Sequence, residues 1–425
     1  MAQRSLHEWL AYLETLHPKS IAMGLARVRE VYDRLALSFD VPVVTVTGTN
    51  GKGSTCTLME AMLGAAGYRV GLYTSPHLVA YNERVRIAGD DVDDATLVGA
   101  FEAVERARTA SAPATPLTYF EFGTLAALLL FARARLDAWI LEVGLGGRLD
   151  AVNLVDADVA VITNVDLDHQ DYLGDTREAI GGEKAGILRA ARPAVIGERD
   201  PPHSVVAHAA ALGAPLYRLG HEFSFVDEGT QWRYRGPAGE RFGLPVPALR
   251  GRYQLVNAAT ALTAVELLRA RLPLDAGAIR AGLAGATLRG RFQVVPGRPT
   301  IVLDVAHNPH AARRLAATLG DMAYHPRTIA VFGMLRDKDI DGVIAALAPR
   351  VDQWRVATLP GPRGAGAEDL ERRLRAQGIE AGAVGAFDDV QAALAAARGE
   401  ADQADRIVVF GSFLTVAAAL TALSR

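Results

Sequence analysis

In the stretch VTVTGTNGKGST, ending at Thr55, a lysine at position 52 stands between Gly51 and Gly53. A β-branched run that opens through a glycine-rich turn into a helix presents backbone N–H groups and a positive helix end to a polyphosphate. Lys52 then supplies a fixed cation for the outer phosphates. Thr49, Asn50, Gly51, Lys52, Gly53 and Ser54 are therefore candidate nucleotide-binding residues. The bland alternative is a plain glycine turn, but strand, Gly-Lys pair and helix start coincide here. The usual phosphate loop places Ser or Thr directly after its lysine so that the hydroxyl reaches Mg²⁺. Gly53 occupies that position, and Ser54 comes one residue late. The metal ligands must come from elsewhere.

Three other strand ends offer them. LYTSPHL places Ser75 and His77 just beyond an apolar run, AWILEVGLGGRLDAVN leaves Glu142 at the end of another, and VITNVDLDHQDYLG carries Asp166, Asp168, His169 and Asp171 past a third. Ligands of parallel α/β sheets collect at the carboxyl ends of the strands, so these tips can converge on the phosphate loop. Mg²⁺ prefers oxygen donors and takes one or two carboxylates together with substrate phosphates. Ser75 and Glu142 suit it, and His169 is a workable addition. Two competing motifs fail: Gly144, Gly146 and Gly147 are followed by Leu149 where a dinucleotide fingerprint needs its last glycine, and TNVDL lacks the lysine of a guanine-reading motif.

The elements that must position these residues alternate along the chain. Short apolar runs (VVTVT, RVGLYTS, AWILEVG, DVAVITN, PAVIG) are mostly followed by helical patterns, which predicts an α/β fold with a mainly parallel sheet. FSFV and QWRYR, separated by DEGT, predict a small antiparallel flap. The pattern YQLVNAATALTAVELLRARL predicts a helix ended by Pro273. LRGRFQVVPGRP then marks a boundary before a second α/β series, TIVLDVA, TIAVFGM, QWRVATL and DRIVVFGSF. This predicts domains over 1–294 and 295–425.

At 425 residues the chain has the length of about two to three domains. Its 45 basic and 48 acidic residues give a net charge of −3, against the basic excess of a nucleic-acid binder. The single cysteine, Cys56, excludes an intramolecular disulfide; it reads as a small buried helix residue. MAQRSLHEWLAYLE has no signal-peptide pattern, and LAALLLFA falls short of the ~20 residues that span a bilayer. A cytoplasmic protein is expected.

Taken together, GTNGKGST, SPHL, TYFEFGTLAAL, LEVGLGGRLDAVN, DHQDYLG, EKAGIL, GRFQ and DVAHNPHAA resemble the folylpolyglutamate synthase and dihydrofolate synthase family, within the superfamily of muramyl amino-acid ligases. The resemblance covers essentially the whole chain. It implies an ATP-binding phosphate-loop domain and a smaller Rossmann-like C-terminal domain that closes over ATP and binds glutamate. It also implies Ser75, Glu142 and His169 as ligands of Mg²⁺, with two ions expected. Asn257, Arg291 and Asp304 match ATP-contacting residues. Lys184, in EKAGIL, matches a lysine carbamylated in related ligases, and His307 lies where it can orient phosphate. Ala22, Met23, Gly24 and Leu25, the TYFE stretch (Thr118, Tyr119, Phe120, Glu121) and Leu149, Asp150 and Ala151 match the dihydropteroate contacts. Position 22 departs from the pattern, being Ala where close relatives have Asp, which removes one polar contact to the pterin.

The reaction so implied is ATP-dependent joining of L-glutamate to dihydropteroate and to reduced folates through an acyl phosphate, by a monomer with no nucleic-acid or membrane partner. A monofunctional folylpolyglutamate synthase is the alternative within the class. A muramyl-peptide ligase would carry Ser or Thr after the loop lysine and a further N-terminal domain. A regulatory nucleotide-binding module would show no glutamate-dependent ADP release.

Overall fold

The computed structural model describes residues 4–19 and 21–424. The chain forms two compact units. The first comprises the chain up to His77, Tyr81–Ala248 and Leu255–Ala286; the second comprises Leu78–Ala80, Leu249–Gln254 and the chain from Thr287 onward. The division thus falls at Ala286 and not after residue 294, and Arg291 belongs to the second unit. Among the described residues no helix is long and apolar enough to cross a membrane.

The first unit is built on an eight-stranded sheet. Its strands are β1 (Val43–Thr47), β2 (Val70–Tyr73), β3 (Val85–Ile87), β4 (Asp90–Asp91), β5 (Ala138–Glu142), β6 (Val159–Ile162), β7 (Ala194–Ile196) and β8 (Leu216–Arg218). They lie in the order β4-β3-β2-β5-β1-β6-β7-β8. Strands β2, β5, β1, β6, β7 and β8 run parallel, and β3 and β4 add an antiparallel edge. Every residue of β1 is buried, as a run of Val and Thr in the middle of a two-faced sheet must be. The β3–β4 hairpin was not foreseen: its strands are too short to show alternation.

Helices α1 (Leu6–Thr15), α2 (Ala26–Leu35), α3 (Lys52–Ala65), α4 (Asp94–Arg108), α5 (Tyr119–Arg133), α6 (Gln170–Leu173), α7 (Arg177–Ala185) and α8 (His203–Leu212) lie between these strands or ahead of them. Both α1 and α5 open with a reciprocal capping box, Ser5 with Glu8 and Thr118 with Glu121. The flap has three strands, β9 (Ser224–Asp227), β10 (Gln231–Gly236) and β11 (Gly239–Pro245), one more than expected. Its buried Trp232 donates to the Pro245 carbonyl at 2.8 Å. Helix α9 (Gln254–Leu267) stops short of Pro273, and α10 (Ala276–Gly285) follows.

In the second unit β12 (Gln293–Val295), β13 (Thr300–Leu303), β14 (Thr328–Phe332), β15 (Gln353–Ala357), β16 (Val384–Phe387) and β17 (Arg406–Phe410) form a sheet in the order β12-β13-β17-β14-β15-β16. All pairs but β12–β13 are parallel. Helices α11 (Pro309–Gly320), α12 (Ile340–Leu347), α13 (Ala367–Ala376), α14 (Val390–Glu400) and α15 (Phe413–Leu423) complete it.

Helix α3, which leads out of the phosphate loop, is buried on nearly all sides. Helix α10 packs on it backbone to backbone: a methyl group added at Gly282 would stand 2.4 Å from the Met62 Cα. Backbone cannot yield as a flexible side chain can. Gly282→Ala should therefore cost about 1–3 kcal/mol through overpacking, read as a lowered melting temperature in calorimetry. Unchanged melting would contradict this packing.

Candidate active site

The sheet order decides which tips meet. Reading across the carboxyl edge, β2, β5, β1 and β6 are consecutive neighbours. Those four strands lead into SPHL, Glu142 and its glycine loop, GTNGKG, and the TNVDLDH segment respectively. Val46 of β1 lies opposite Glu142 and Thr47 opposite Ile162. On β2, Tyr73 lies opposite Leu141, so the chain two residues on meets the end of β5. There the Ser75 backbone N–H donates to Glu142 Oε2 at 3.1 Å. The buried Glu142 and Ser75 are thereby held together.

The phosphate loop is pinned from its β6 side. Thr49 N–H donates to the Asn164 carbonyl at 3.0 Å, and Asn50 N–H to Asn164 Oδ1 at 2.9 Å. Thr163 Oγ1 donates to the Asn50 carbonyl at 2.7 Å. Thr49 Oγ1 accepts from Asp166 N–H at 2.9 Å and donates to the Asp166 carbonyl at 3.0 Å. Thr163 and Asn164 were missed in the sequence, where they look like ordinary residues after a strand. The only available signal was a pair of polar side chains directly following VAVI.

Gly51 caps α3 with φ +85°, in the left-handed region that glycine tolerates. A side chain there would also stand 2.6 Å from Asn257 Oδ1, so Asn257 of α9, itself buried, lies directly against the loop. Ser54 is buried within the first turn of α3, and Gly53 offers no hydroxyl. Lys52 curls back, its Nζ donating to the Gly48 carbonyl at 2.9 Å. The cation thus sits over its own loop, where incoming phosphate oxygens can replace the carbonyl. Burial, with the Glu142 charge second, pushes the Cys56 thiol well above its ordinary range, so that thiol is inert.

Lys184, at the end of α7, is buried. Burial, then the Lys52 charge, pulls its pKa down from the ordinary 10.5 to about 7. The glycine loop after β5 is organised by the buried Asp150, which accepts from Leu145 N–H at 2.9 Å and Val152 N–H at 3.0 Å. Burial outweighs those bonds and raises the Asp150 carboxyl to about 7.

Of the segments 22–25 and 118–121, Met23 and Phe120 reach this loop, and residues 149–151 belong to it. Phe120 lies against Gly144, and Met23 reaches Gly146. Leu149 and Ala151 flank Asp150, with Ala151 buried at the start of a single 3₁₀ turn. Tyr119 packs edge-on to Tyr81 with ring centroids 5.7 Å apart, and the Arg84 guanidinium lies 5.5 Å from its ring. Arg84 Nε donates to His77 Nδ1 at 2.8 Å. Burial, then that neighbouring cation, lowers the His77 pKa to about 4.

His169 initiates α6 with φ +53°, its N–H donating to Asp168 Oδ1 at 2.9 Å. Among the described residues no group of three or more His, Cys, Asp or Glu is arranged to hold a metal. The candidate set Ser75, Glu142 and His169 contains only two such residues. Its donors are hard oxygens with one imidazole, which suits Mg²⁺ provided that phosphate oxygens complete the shell.

In the second unit, buried Asp304 follows β13 and accepts from Phe292 N–H and Ala306 N–H, both at 2.8 Å. Burial raises its pKa, with the Arg291 charge opposing. The Arg291 guanidinium lies 5.0 Å from the Phe413 ring, and the His307 ring 6.1 Å from it. Asn308 and Pro309 serve as N-cap and first residue of α11.

The Mur ligase middle domain profile matches residues 46–265, and the glutamate ligase domain profile matches residues 290–413. A dihydrofolate synthase/folylpolyglutamate synthase of Escherichia coli is 47% identical over 98% of this chain and 95% of its own. An Escherichia coli FolC structure in complex with DHPP and ADP superposes with a TM-score of 0.93 at 46% identity, covering 100% of this chain and 99% of that one. A bifunctional folylpolyglutamate synthase/dihydrofolate synthase with Mn, AMPPNP and L-glutamate bound has a TM-score of 0.91 at 48% identity, covering 100% and 99%.

The loop geometry places the Lys52 ammonium over the loop, beside the Gly48 carbonyl. Lys52→Ala should lower kcat/KM by about two to three decades, the usual cost of losing one preorganised charge partner. Steady-state ADP release measures it. Near-normal turnover would remove the loop from the chemistry.

Proposed function

The chain belongs to the dihydrofolate synthase/folylpolyglutamate synthase family of Mur ligases, and we propose that its first unit holds the reaction centre of an ATP-dependent glutamate ligase. The observation that carries this reading is the run of four neighbouring strand ends bearing Ser75, Glu142, the GTNGKG loop and the His169 segment. Its substrates are ATP, L-glutamate and a pteroyl acid, either dihydropteroate or a reduced folate.

A carboxylate resists attack by an amine because an oxide is a poor leaving group. Transfer of the γ-phosphoryl group to a carboxylate oxygen gives an acyl phosphate and ADP. The glutamate amine then adds to the acyl carbon, and phosphate leaves as the amide forms and the amine loses its proton. Phosphoryl transfer asks the protein mainly for positioning and charge neutralisation. Backbone N–H groups at the start of α3 orient the phosphates, and Lys52 neutralises their outer oxygens. Ser75, Glu142 and His169 would hold a divalent ion, which supplies charge stabilisation to the phosphates when bound. Relatives bound to Mn support a divalent metal here.

Lys184 supports a second ion. Burial and the Lys52 charge lower its pKa to about 7, which favours the neutral amine. A neutral amine adds to CO₂ and releases a proton, leaving a carbamate whose oxygens are anionic metal donors. Burial disfavours the cation that would otherwise occupy this position, so carbamylation is the assignment we favour. Arg291, Asp304 and His307 are the candidate nucleotide and phosphate contacts of the second unit.

Ala22, Met23, Gly24 and Leu25 with Thr118 to Glu121 and Leu149 to Ala151 are proposed to receive the pteroyl group. Tyr119 and Phe120 offer flat faces, and Gly144 of the glycine loop lies against Phe120. Soluble, monomeric action in the cytoplasm is the setting proposed for it. The test is ADP release with ATP and Mg²⁺, with L-glutamate and the pteroyl acid supplied separately and together. Release that requires both glutamate and dihydropteroate, and equally glutamate and tetrahydrofolate, is expected. Release with tetrahydrofolate alone would leave a monofunctional folylpolyglutamate synthase, and release independent of glutamate would overturn the ligase reading.

A further inference from the structure

We propose that Arg27 is a positioning residue for the pteroyl substrate, clamping two segments of its pocket together through Glu121. The inference rests on the reading of residues 22–25 and 118–121 as pteroyl-binding segments.

Helix α2 begins without a side-chain cap at Leu25. Residues 21–24, immediately before it, form no helix or strand, and Gly24 has φ +132°. Nothing in the local sequence therefore fixes this segment, because a helix start without a capping side chain leaves its entering backbone free to shift. Arg27 fixes it instead. Its Nη2 donates to the Ala22 carbonyl and to Glu121 Oε1, while Nε donates to Glu121 Oε2 at 3.1 Å. A position that a Gly24 side chain would occupy lies 3.7 Å from Nη1, so the guanidinium lies close under the turn.

Glu121 is the other half of the clamp. Its carboxylate also accepts from Thr118 N–H at 2.8 Å, and its own N–H donates to Thr118 Oγ1 at 3.3 Å. The carboxylate therefore takes three N–H donors while only 5% exposed, and the guanidinium is 22% exposed. A fork-to-fork pair in this setting fixes orientation as well as distance. Because its oxygens are committed to the α5 start and to Arg27, Glu121 acts by locating Ala22–Leu25 against Tyr119 and Phe120. The pair joins residues 94 positions apart.

The experiment compares wild type, Arg27→Met, Glu121→Gln, the double variant and Tyr119→Ala, measuring KM for dihydropteroate, ATP and glutamate, kcat and melting temperature. Glutamine keeps the capping acceptor and removes the charge, so Glu121→Gln tests the clamp even where Arg27→Met folds poorly. Expected is a rise of about tenfold or more in KM for dihydropteroate with either single change. The KM for ATP should stay near wild type in both, kcat at saturation should stay near wild type in Arg27→Met, and the double variant should be no worse than the poorer single. A fall in melting temperature with an unmoved dihydropteroate KM, or a parallel rise in all three KM values, would overturn the clamp. Tyr119→Ala separates the two readings: if it raises the dihydropteroate KM and the Arg27 and Glu121 variants do not, the clamp alone fails. If none of them moves that KM, the pteroyl assignment of these segments fails with it.

Discussion

The glycine after Lys52 is the constraint on which the rest of the site depends. A phosphate loop without a hydroxyl at that position has a cation and backbone donors but no local metal ligand. The proposed metal donors then lie on other chain segments, at the ends of strands adjacent in the sheet. The order β2-β5-β1-β6 brings those ends side by side, with β1 carrying the loop. Ser75 and Glu142 come from one side of it, and Thr163, Asn164 and His169 from the other. The hydrogen bond from Ser75 to Glu142 and the Asn164 bonds to the loop backbone are the local consequences of that order.

The same edge explains the charge pattern. Lys52 and Lys184 are close enough for each charge to oppose the other, and burial removes the water that would soften the repulsion. Lys52 finds its partners among the carbonyls of Gly48 and Thr49, whereas the pKa of the buried Lys184 is lowered. Asp150, buried and satisfied by backbone N–H groups, shapes the glycine loop on which Phe120 and Met23 rest. The segments proposed to bind substrate and the strand end bearing Glu142 therefore share one piece of backbone.

Much of this was legible in the sequence because it is local. VVTVT followed by GTNGKG announces a buried strand, a turn and a helix start, and each strand tip bearing chemistry follows an apolar run of the same kind. The order of the strands was not legible, since it depends on pairings between residues far apart in the chain. Arg27 is the clearest omission. In ARVRE it resembles any helical surface arginine, and its partner lies 94 residues away inside what reads as a capping motif. Glu121 reads in the sequence as a substrate contact, and in the structure its carboxylate is bonded to Arg27 and Thr118. The third flap strand, GERFGLP, was hidden by its two glycines and terminal proline, and the hairpin at β3–β4 by its brevity.

The relocation of metal ligation is tested most directly by Mn²⁺ binding in the presence of a non-hydrolysable ATP analogue, followed by electron paramagnetic resonance. Wild type, Ser75→Ala and the double variant Ser75→Ala with Gly53→Ser are compared. Loss of the Ser75 hydroxyl should weaken Mn²⁺ binding by roughly tenfold or more, and the serine placed after Lys52 should not restore it, because position 53 is buried in the first turn of α3. Recovery of wild-type affinity in the double variant would show that the ordinary loop position still serves the metal, and would contradict the account.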